Sequence, residues 1–231
     1  MTTDRKIRIA IDGPGGAGKS SVAKEIAKRR GLRYVDTGAL YRSVGLYVAD
    51  HGIGENDQEG IVSCLPHIRI ELVNDDGTQR IIMNGEDVGD RIRTPQASVY
   101  SSAVSKIPAV RDALFSIQRD LAEQGGVVMD GRDIGTVIIP DAEVKIFLTA
   151  SPEERARRRY KELREKGVGQ SYEDVLRDII ARDENDSTRE TAPLRPADDA
   201  ITFVNDGYDL EETVRYVMGL IDGVITRRGI E

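Results

Sequence analysis

The chain of 231 residues contains one cysteine, two histidines and no tryptophan. A lone Cys64 has no internal disulfide partner, and its IVSCL setting marks a small core residue, not a reactive thiol. His51 and His67 stand apart from each other and from other ligand types, so neither a zinc set nor a histidine-based catalytic set is expected. No apolar run approaches the ~20 residues needed to cross a bilayer, and the opening MTTDRKIRIAIDG has no apolar centre of the kind a signal peptide carries. A soluble, cytoplasmic protein is expected. A basic surplus is missing too: 33 Lys and Arg face 40 Asp and Glu, a net charge of −7, which argues against nucleic acid or anionic membrane as a partner. Any polyanion must therefore be met by local cations. Repeats, low-complexity tracts and Pro/Gly/Ser linkers are absent, so one globular unit is expected, acting as a monomer.

Short apolar or β-branched runs occupy Ile7 to Ile11, Leu32 to Val35, Val127 to Met129, Val144 to Leu148 and Ile201 to Val204. Nearly continuous apolar character is what strands covered on both faces require. Helical patterns separate them. Lys19 to Arg30 places Val22, Ala23, Ile26 and Ala27 on one face, with Gly31 positioned to end the helix. After Pro108, Val110, Leu114, Ile117 and Leu121 repeat with helical spacing. A third helix begins at Ser151, with Pro152 first and Glu154 three residues on, a capping box. Alternating strands and helices predict a five-stranded parallel sheet wrapped by helices, an α/β fold. Between about 67 and 105 the rhythm breaks: IRIELV, NDDG and QRIIM form the pattern of an antiparallel hairpin, read here as an insertion.

Gly13-Pro14-Gly15-Gly16-Ala17-Gly18-Lys19-Ser20 fits G-x-x-x-x-G-K-[ST] and lies between a strand and a helix, the context that the P-loop requires. The glycines let backbone N–H groups surround a phosphate, and the helix N-terminus adds partial positive charge. Lys19 is suited to the β and γ oxygens of ATP, and the Ser20 hydroxyl to a bound Mg2+. Ser21 completes the ATP-binding stretch. What becomes of the phosphate is a separate question. The chain lacks the N-K-x-D guanine reader of GTPases. Motor-type ATPases end their acidic strand in paired carboxylates; here VVMD ends at Asp130 and continues Gly131-Arg132-Asp133, putting a cation where the second carboxylate would stand. An anionic acceptor fits that arrangement better than water does.

Three further stretches carry a family resemblance. Asp36-Thr37-Gly38-Ala39-Leu40-Tyr41-Arg42 follows the second strand, where ligands of such sheets collect. Asp130 to Thr136 is followed by Pro140-Asp141-Ala142, and Arg182-Asp183 is followed by Asp186, Arg189 and Ala192-Pro193-Leu194. In this order, and over almost the whole chain, the sequence resembles the type 1 bacterial cytidylate kinases, P-loop nucleoside monophosphate kinases. The resemblance implies transfer of the γ-phosphoryl group of ATP to CMP and dCMP. It also implies a core at 1–66 and 106–231, a helical lid at 155–170 and a monophosphate-binding insertion at 67–105. Thr37, Tyr41, Arg42 and Arg132 are implied around the CMP phosphate, Ser102, Arg111 and Asp133 at the cytosine, and Arg182, Asp186 and Arg189 at the ribose and phosphates. Lys19, Arg132, Arg158, Arg182 and Arg189 are the implied catalytic cations. A carboxylate at Asp133 is the acceptor that the cytosine amino group needs and that uracil would not use.

Arg155, Arg157, Arg158 and Arg159 crowd one helix, and such like charges repel unless something anionic neutralises them. In a kinase of this kind they form the lid, with Arg158 taken as the one that reaches ATP. Asp36 and Asp130 are candidates for the water shell of Mg2+. Leu40 and Asn205-Asp206-Gly207 depart from the family pattern and are expected to touch none of this chemistry. A kinase acting on UMP or another monophosphate remains the nearest alternative, and an ATP-hydrolysing switch the more distant one.

Overall fold

The computed structural model describes residues 7–75 and 78–230. Strands β1 (Arg8–Asp12), β2 (Arg33–Asp36), β6 (Val127–Gly131), β7 (Val144–Thr149) and β8 (Ile201–Val204) form one parallel sheet in the order β2-β6-β1-β7-β8. All five coincide with the apolar runs of the sequence to within a residue or two. Alternation along β1 explains why both faces must be covered. Ile9 and Ile11 pack with Val22, Ile26, Val214 and Val217 from α1 (Lys19–Arg30) and α8 (Leu210–Arg228). Ala10 points the other way, into a cluster with Val35, Met129, Ala122 and Ile134. The outer strand β8 departs from expectation: only Phe203 of its four residues is buried, because β8 has a neighbour on one side alone.

Gly31 ends α1 in the left-handed conformation with φ 65°, the geometry glycine adopts without a Cβ penalty. The box expected at α6 (Pro152–Glu165) is only half formed. Ser151 Oγ accepts the Glu154 N–H at 3.3 Å, but the Ser151 N–H goes to Asp206 at 2.7 Å, and the Glu154 carboxylate pairs with Arg157 and Arg158. Competition from two arginines one turn away removes the reciprocal bond. A complete box appears instead at α8, between Asp209 and Glu212.

A second body sits on the β2 edge. It contains α2 (Thr37–Asp50), α3 (Gln58–Cys64), α4 (Pro95–Val104) and a three-stranded antiparallel sheet of β3 (Ile70–Asp75), β4 (Thr78–Met83) and β5 (Glu86–Asp87). The hairpin register pairs Ile70 with Met83 and Leu72 with Ile81; the Asp76-Gly77 tip of the anticipated turn lies outside the described residues. Among the strands of the described residues only the two-residue β5 has no counterpart in the sequence pattern, and helices α2, α3 and α4 were not among those anticipated. Ile70, Ile81 and Met83 share one apolar cluster with Leu40, Val44, Val48 and Ile92, and with Val110 and Leu114 of α5 (Pro108–Glu123). Helices α2 and α4 approach closely at Gly45, where a Cβ would lie 2.9 Å from the Ser101 nitrogen. Helices α6 and α7 (Tyr172–Thr188) form an antiparallel pair held by a small cluster of Ala156, Leu163 and Val175. Partly buried Tyr160, Tyr172, Leu176 and Ile179 pack around that cluster, which is separate from the main cores. No helix among the described residues is long and apolar enough to cross a membrane.

Candidate active site

The strand ends of the sheet deliver the chemistry to one place. At the end of β1, Gly13 takes φ 147°, and a Cβ there would fall 1.9 Å from the Leu148 carbonyl, so this position admits only glycine. Gly18 is left-handed at φ 86° and starts α1, whose N-terminus therefore faces the loop it follows. Lys19 is 5% exposed, and its Nζ donates to the Pro14 carbonyl at 2.7 Å. Burial first, then the neighbouring Arg132, push its pKa down from the usual lysine value.

Two cavities meet at this lysine. The wider one, about 610 Å³, runs along Gly15, Gly16, Gly18, Ser20 and Ser21 to Arg158, Arg159, Asn205, Tyr208 and Asp209. The narrower one, about 230 Å³, lies between the end of β2, α4 and α7. Gly15, Gly16, Lys19, Ser20 and Arg182 line both. Of the anticipated loop residues, Gly13, Pro14 and Ala17 line neither: Gly13 backs onto β7, Pro14 gives its carbonyl to Lys19, and Ala17 is fully buried.

Every residue anticipated for the acceptor lines the narrow cavity: Thr37, Tyr41, Arg42, Ser102, Arg111, Arg132, Asp133, Arg182, Asp186 and Arg189. They arrive from five different segments of the chain. Among the described residues its wall carries six cationic side chains, counting Lys19, and four carboxylates, so a chain of net negative charge holds a locally cationic chamber. The cations are held by carboxylates within the wall. Arg42 pairs with Asp36 at 2.7 Å, Arg132 with Asp186 at 2.9 Å, and Arg111 makes a short contact with Asp133. Arg111 also lies 5.6 Å over the Tyr41 ring. Burial raises the Asp133 pKa against the pull of Arg111 and Arg189. At Asp186 burial acts in the same upward direction but is outweighed by Arg132, Arg182 and Arg189, and the carboxyl stays below its usual range. Arg182, buried beside Arg132, is lowered to about 10 and remains charged at neutral pH. Its Nε, and Nη2 of Arg189, are buried without a hydrogen-bond partner. Unsatisfied buried guanidinium nitrogens are costly.

Three side chains that the sequence did not single out complete the site. Tyr34 donates to Asp130 Oδ1 at 2.7 Å while Ser20 donates to Oδ2 at 2.8 Å, so both oxygens of this carboxylate are oriented. Burial, then Asp36, push the Asp130 pKa up. Asp12, fully enclosed, accepts N–H bonds from Ile134 at 2.8 Å and Gly135 at 2.7 Å, and so anchors the π-helical turn Ile134–Ile138 that follows Asp133. Despite those bonds, burial raises its pKa to about 7. Asn205, expected to be remote from the chemistry, lines the wide cavity and donates to the Ala17 carbonyl at 3.1 Å. No local signal marks these three, because their partners lie up to 188 residues away.

The four crowded arginines of α6 separate into different environments. Arg155 is 3% exposed and bonds Asp183, the Ala150 carbonyl and the Gly15 carbonyl, bracing the loop from beneath. Arg157 is exposed and paired with Glu154, and Arg159 pairs with Glu162 at 3.1 Å. Arg158 reaches the wide cavity wall. Their mutual repulsion is answered by carboxylates of the chain itself. Asp36, a candidate for a metal's water shell, caps α2 by accepting the Ala39 N–H at 3.0 Å and holds Arg42.

Comparison with known proteins gives a consistent result. The sequence profile of the family described as "Cytidylate kinase" matches residues 9–222. The cytidylate kinase of Caldicellulosiruptor saccharolyticus is 51% identical over 221 residues, covering 96% of this chain and 98% of that protein. That of Bacillus thuringiensis is 44% identical over 224 residues, covering 97% and 100%. Among solved structures, an uncharacterised protein from Eubacterium ventriosum has a TM-score of 0.50 at 13% identity, covering 94% of this chain and 99% of its own, a likeness of fold.

Proposed function

The chain belongs to the cytidylate kinase family, and from that premise we propose that the wide cavity takes ATP, the narrow one CMP or dCMP, and that the γ-phosphoryl group crosses at Lys19. It is an ATP-dependent phosphotransferase. The observation that carries the proposal is the shared wall: Gly15, Gly16, Lys19, Ser20 and Arg182 border both cavities, so donor and acceptor phosphates meet there and nowhere else along either lining.

The acceptor is a phosphate oxygen that is already anionic, so no general base is needed; alignment and charge neutralisation supply the rate. Thr37, Tyr41, Arg42 and Arg132 surround the acceptor phosphate, Arg42 and Arg132 exchanging Asp36 and Asp186 for phosphate oxygens. Bidentate guanidinium contacts fix both charge and direction. Arg182, with its free Nε, and Arg189 take charge that develops during transfer, and Asp186 takes a ribose hydroxyl. Asp133 accepts the cytosine amino group, Arg111 binds the carbonyl side of the base, and Ser102 closes its edge. Arg158 reaches the ATP phosphates from the lid, which excludes water. A UMP reading is not favoured, since uracil presents a carbonyl oxygen where cytosine presents its amino donor, and the Asp133 carboxylate would face an acceptor there.

Ser20 and the carboxylates of Asp130 and Asp36 are hard oxygen donors of the kind Mg2+ prefers, and a cation would favour the charged form of Asp130, which burial and then Asp36 oppose. The donor set fits: Ser20 would bind the ion directly, Asp36 and Asp130 through water. An ion held there with ATP would supply positive charge to offset the negative charge of the transferring phosphates. We read the protein as a cytoplasmic monomer. We take the body that closes over the acceptor to be the apolar cluster running from Ala39 to Leu114, which contains the 67–105 insertion, with the remainder as core and α6–α7 as lid.

Initial rates with ATP and either CMP or UMP test this reading. A strong preference for CMP is expected; a preference for UMP, or ATP consumption indifferent to any monophosphate, overturns it.

A further inference from the structure

Asn205 is 2% exposed at the point where β8 runs out, and five hydrogen bonds converge on it, one of them from the Tyr208 N–H to its backbone carbonyl at 3.3 Å. Its backbone N–H donates to the Thr149 carbonyl at 2.9 Å, extending the β7–β8 ladder by one residue and fixing the stem of the side chain. The amide nitrogen donates to the Ala17 carbonyl inside the phosphate loop at 3.1 Å. The amide oxygen receives Arg158 Nη1 at 3.3 Å, and the backbone carbonyl receives Arg158 Nη2 at 2.9 Å. Only one orientation of the amide serves a carbonyl on one side and a guanidinium on the other. Glu154, one turn earlier on α6, takes the remaining Arg158 Nε at 3.0 Å.

All three guanidinium nitrogens of Arg158 are thus held before any nucleotide arrives, on the wall of the wide cavity and in register with the phosphate loop. A free arginine must lose much rotamer freedom to bind; one held this way has already lost it. We infer that Asn205 is the positioning residue that sets Arg158 over the phosphate loop, adding a second tie between the α6–α7 pair and the loop to the direct bond from Arg155 to the Gly15 carbonyl. The inference rests on the reading of Arg158 as an ATP-phosphate ligand given above.

The test is a double-mutant cycle with Asn205→Ala and Arg158→Ala, measuring kcat and KM for ATP and for CMP, with thermal unfolding of each protein as a check on folding. Asn205→Ser replaces Asn205→Ala if the latter is too unstable to purify, since a serine hydroxyl cannot reach Arg158. The expected result is a fall of about tenfold in kcat/KM for ATP in the Asn205 variant, a CMP KM that does not move, and no additional loss when Arg158 is already alanine. An equal loss in both Arg158 backgrounds would show that Asn205 acts only by bracing Ala17, and would overturn the inference while leaving the function of Arg158 intact. Wild-type kinetics in the Arg158 variant would overturn both. An Asn205 variant with unchanged ATP kinetics would overturn the inference alone.

Discussion

On one side of Lys19 one flank of the wall is backbone: Gly15, Gly16, Gly18 and the first turn of α1 face side chains of α6, α7 and α8 across a cavity of about 610 Å³. On the other side it is largely side chain, with six cations and four carboxylates around about 230 Å³. Backbone N–H groups cannot be mutated away and recognise a phosphate whatever base it carries. Paired side chains recognise one shape and one charge pattern, and each pair leaves a buried charge behind when one member is removed. In the proposed function, general nucleotide binding and narrow acceptor choice occupy adjoining chambers built by different means.

If that contrast is right, damage to the acceptor wall should spare the donor side. Asp133→Ala strips Arg111 of its buried partner and the base of its acceptor. A loss of about 10² in kcat/KM for CMP is expected, with a stability decrease of about 3–5 kcal/mol and an unchanged KM for ATP. A parallel rise in the ATP KM would blur the two chambers into one.

Asp12 lies at the seam, at the end of the donor strand β1 but bonded to the acceptor turn at Ile134 and Gly135. Its folded pKa of about 7 stands above the unfolded value of 3.8. The folded chain therefore keeps a proton that the unfolded chain gives up. This contribution is full below pH 3.8 and is lost as pH rises through about 7. The change amounts to something on the order of 4 kcal/mol at most. Denaturation midpoints of the native chain and Asp12→Asn, compared from pH 4 to pH 8, should show a slope in the former that is missing from the latter. The same slope in both proteins would remove Asp12 as its source.

Gly45→Ala acts at a distance from either cavity, forcing a Cβ to within 2.9 Å of the Ser101 nitrogen where α2 crosses α4. Overpacking of this sort costs about 1–3 kcal/mol. The strain falls on two helices that line the acceptor side with Tyr41, Arg42 and Ser102 and reach the donor side only through Ser98, so the CMP KM should rise more than the ATP KM. Equal movement of both would mean that the two bodies deform together.

The donor side was legible because it is contiguous: Gly13 to Ser20 sits between a strand and a helix that are themselves plain in the sequence. The acceptor side was legible only through resemblance. Arg42 or Arg182 taken alone reads as an exposed helical charge, and nothing local says that Asp186 will meet Arg132, 54 residues away. Where local rules were followed too literally, tertiary contacts intervened. Glu154 left the Ser151 box for Arg157 and Arg158, and Arg155, grouped with the lid arginines, is buried beneath the loop against Asp183.

By itself the sequence determined the five strands, the glycine loop and the helix that follows it, since those depend on periodicity and on conformations open to glycine alone. The tertiary structure decided which charges face which. Tyr34, Asp12 and Asn205 acquired their places only when distant segments closed around Asp130, the turn after Asp133 and Ala17. Burial then gave those polar contacts their strength, because a hydrogen bond or a charge excluded from water cannot be exchanged for solvent.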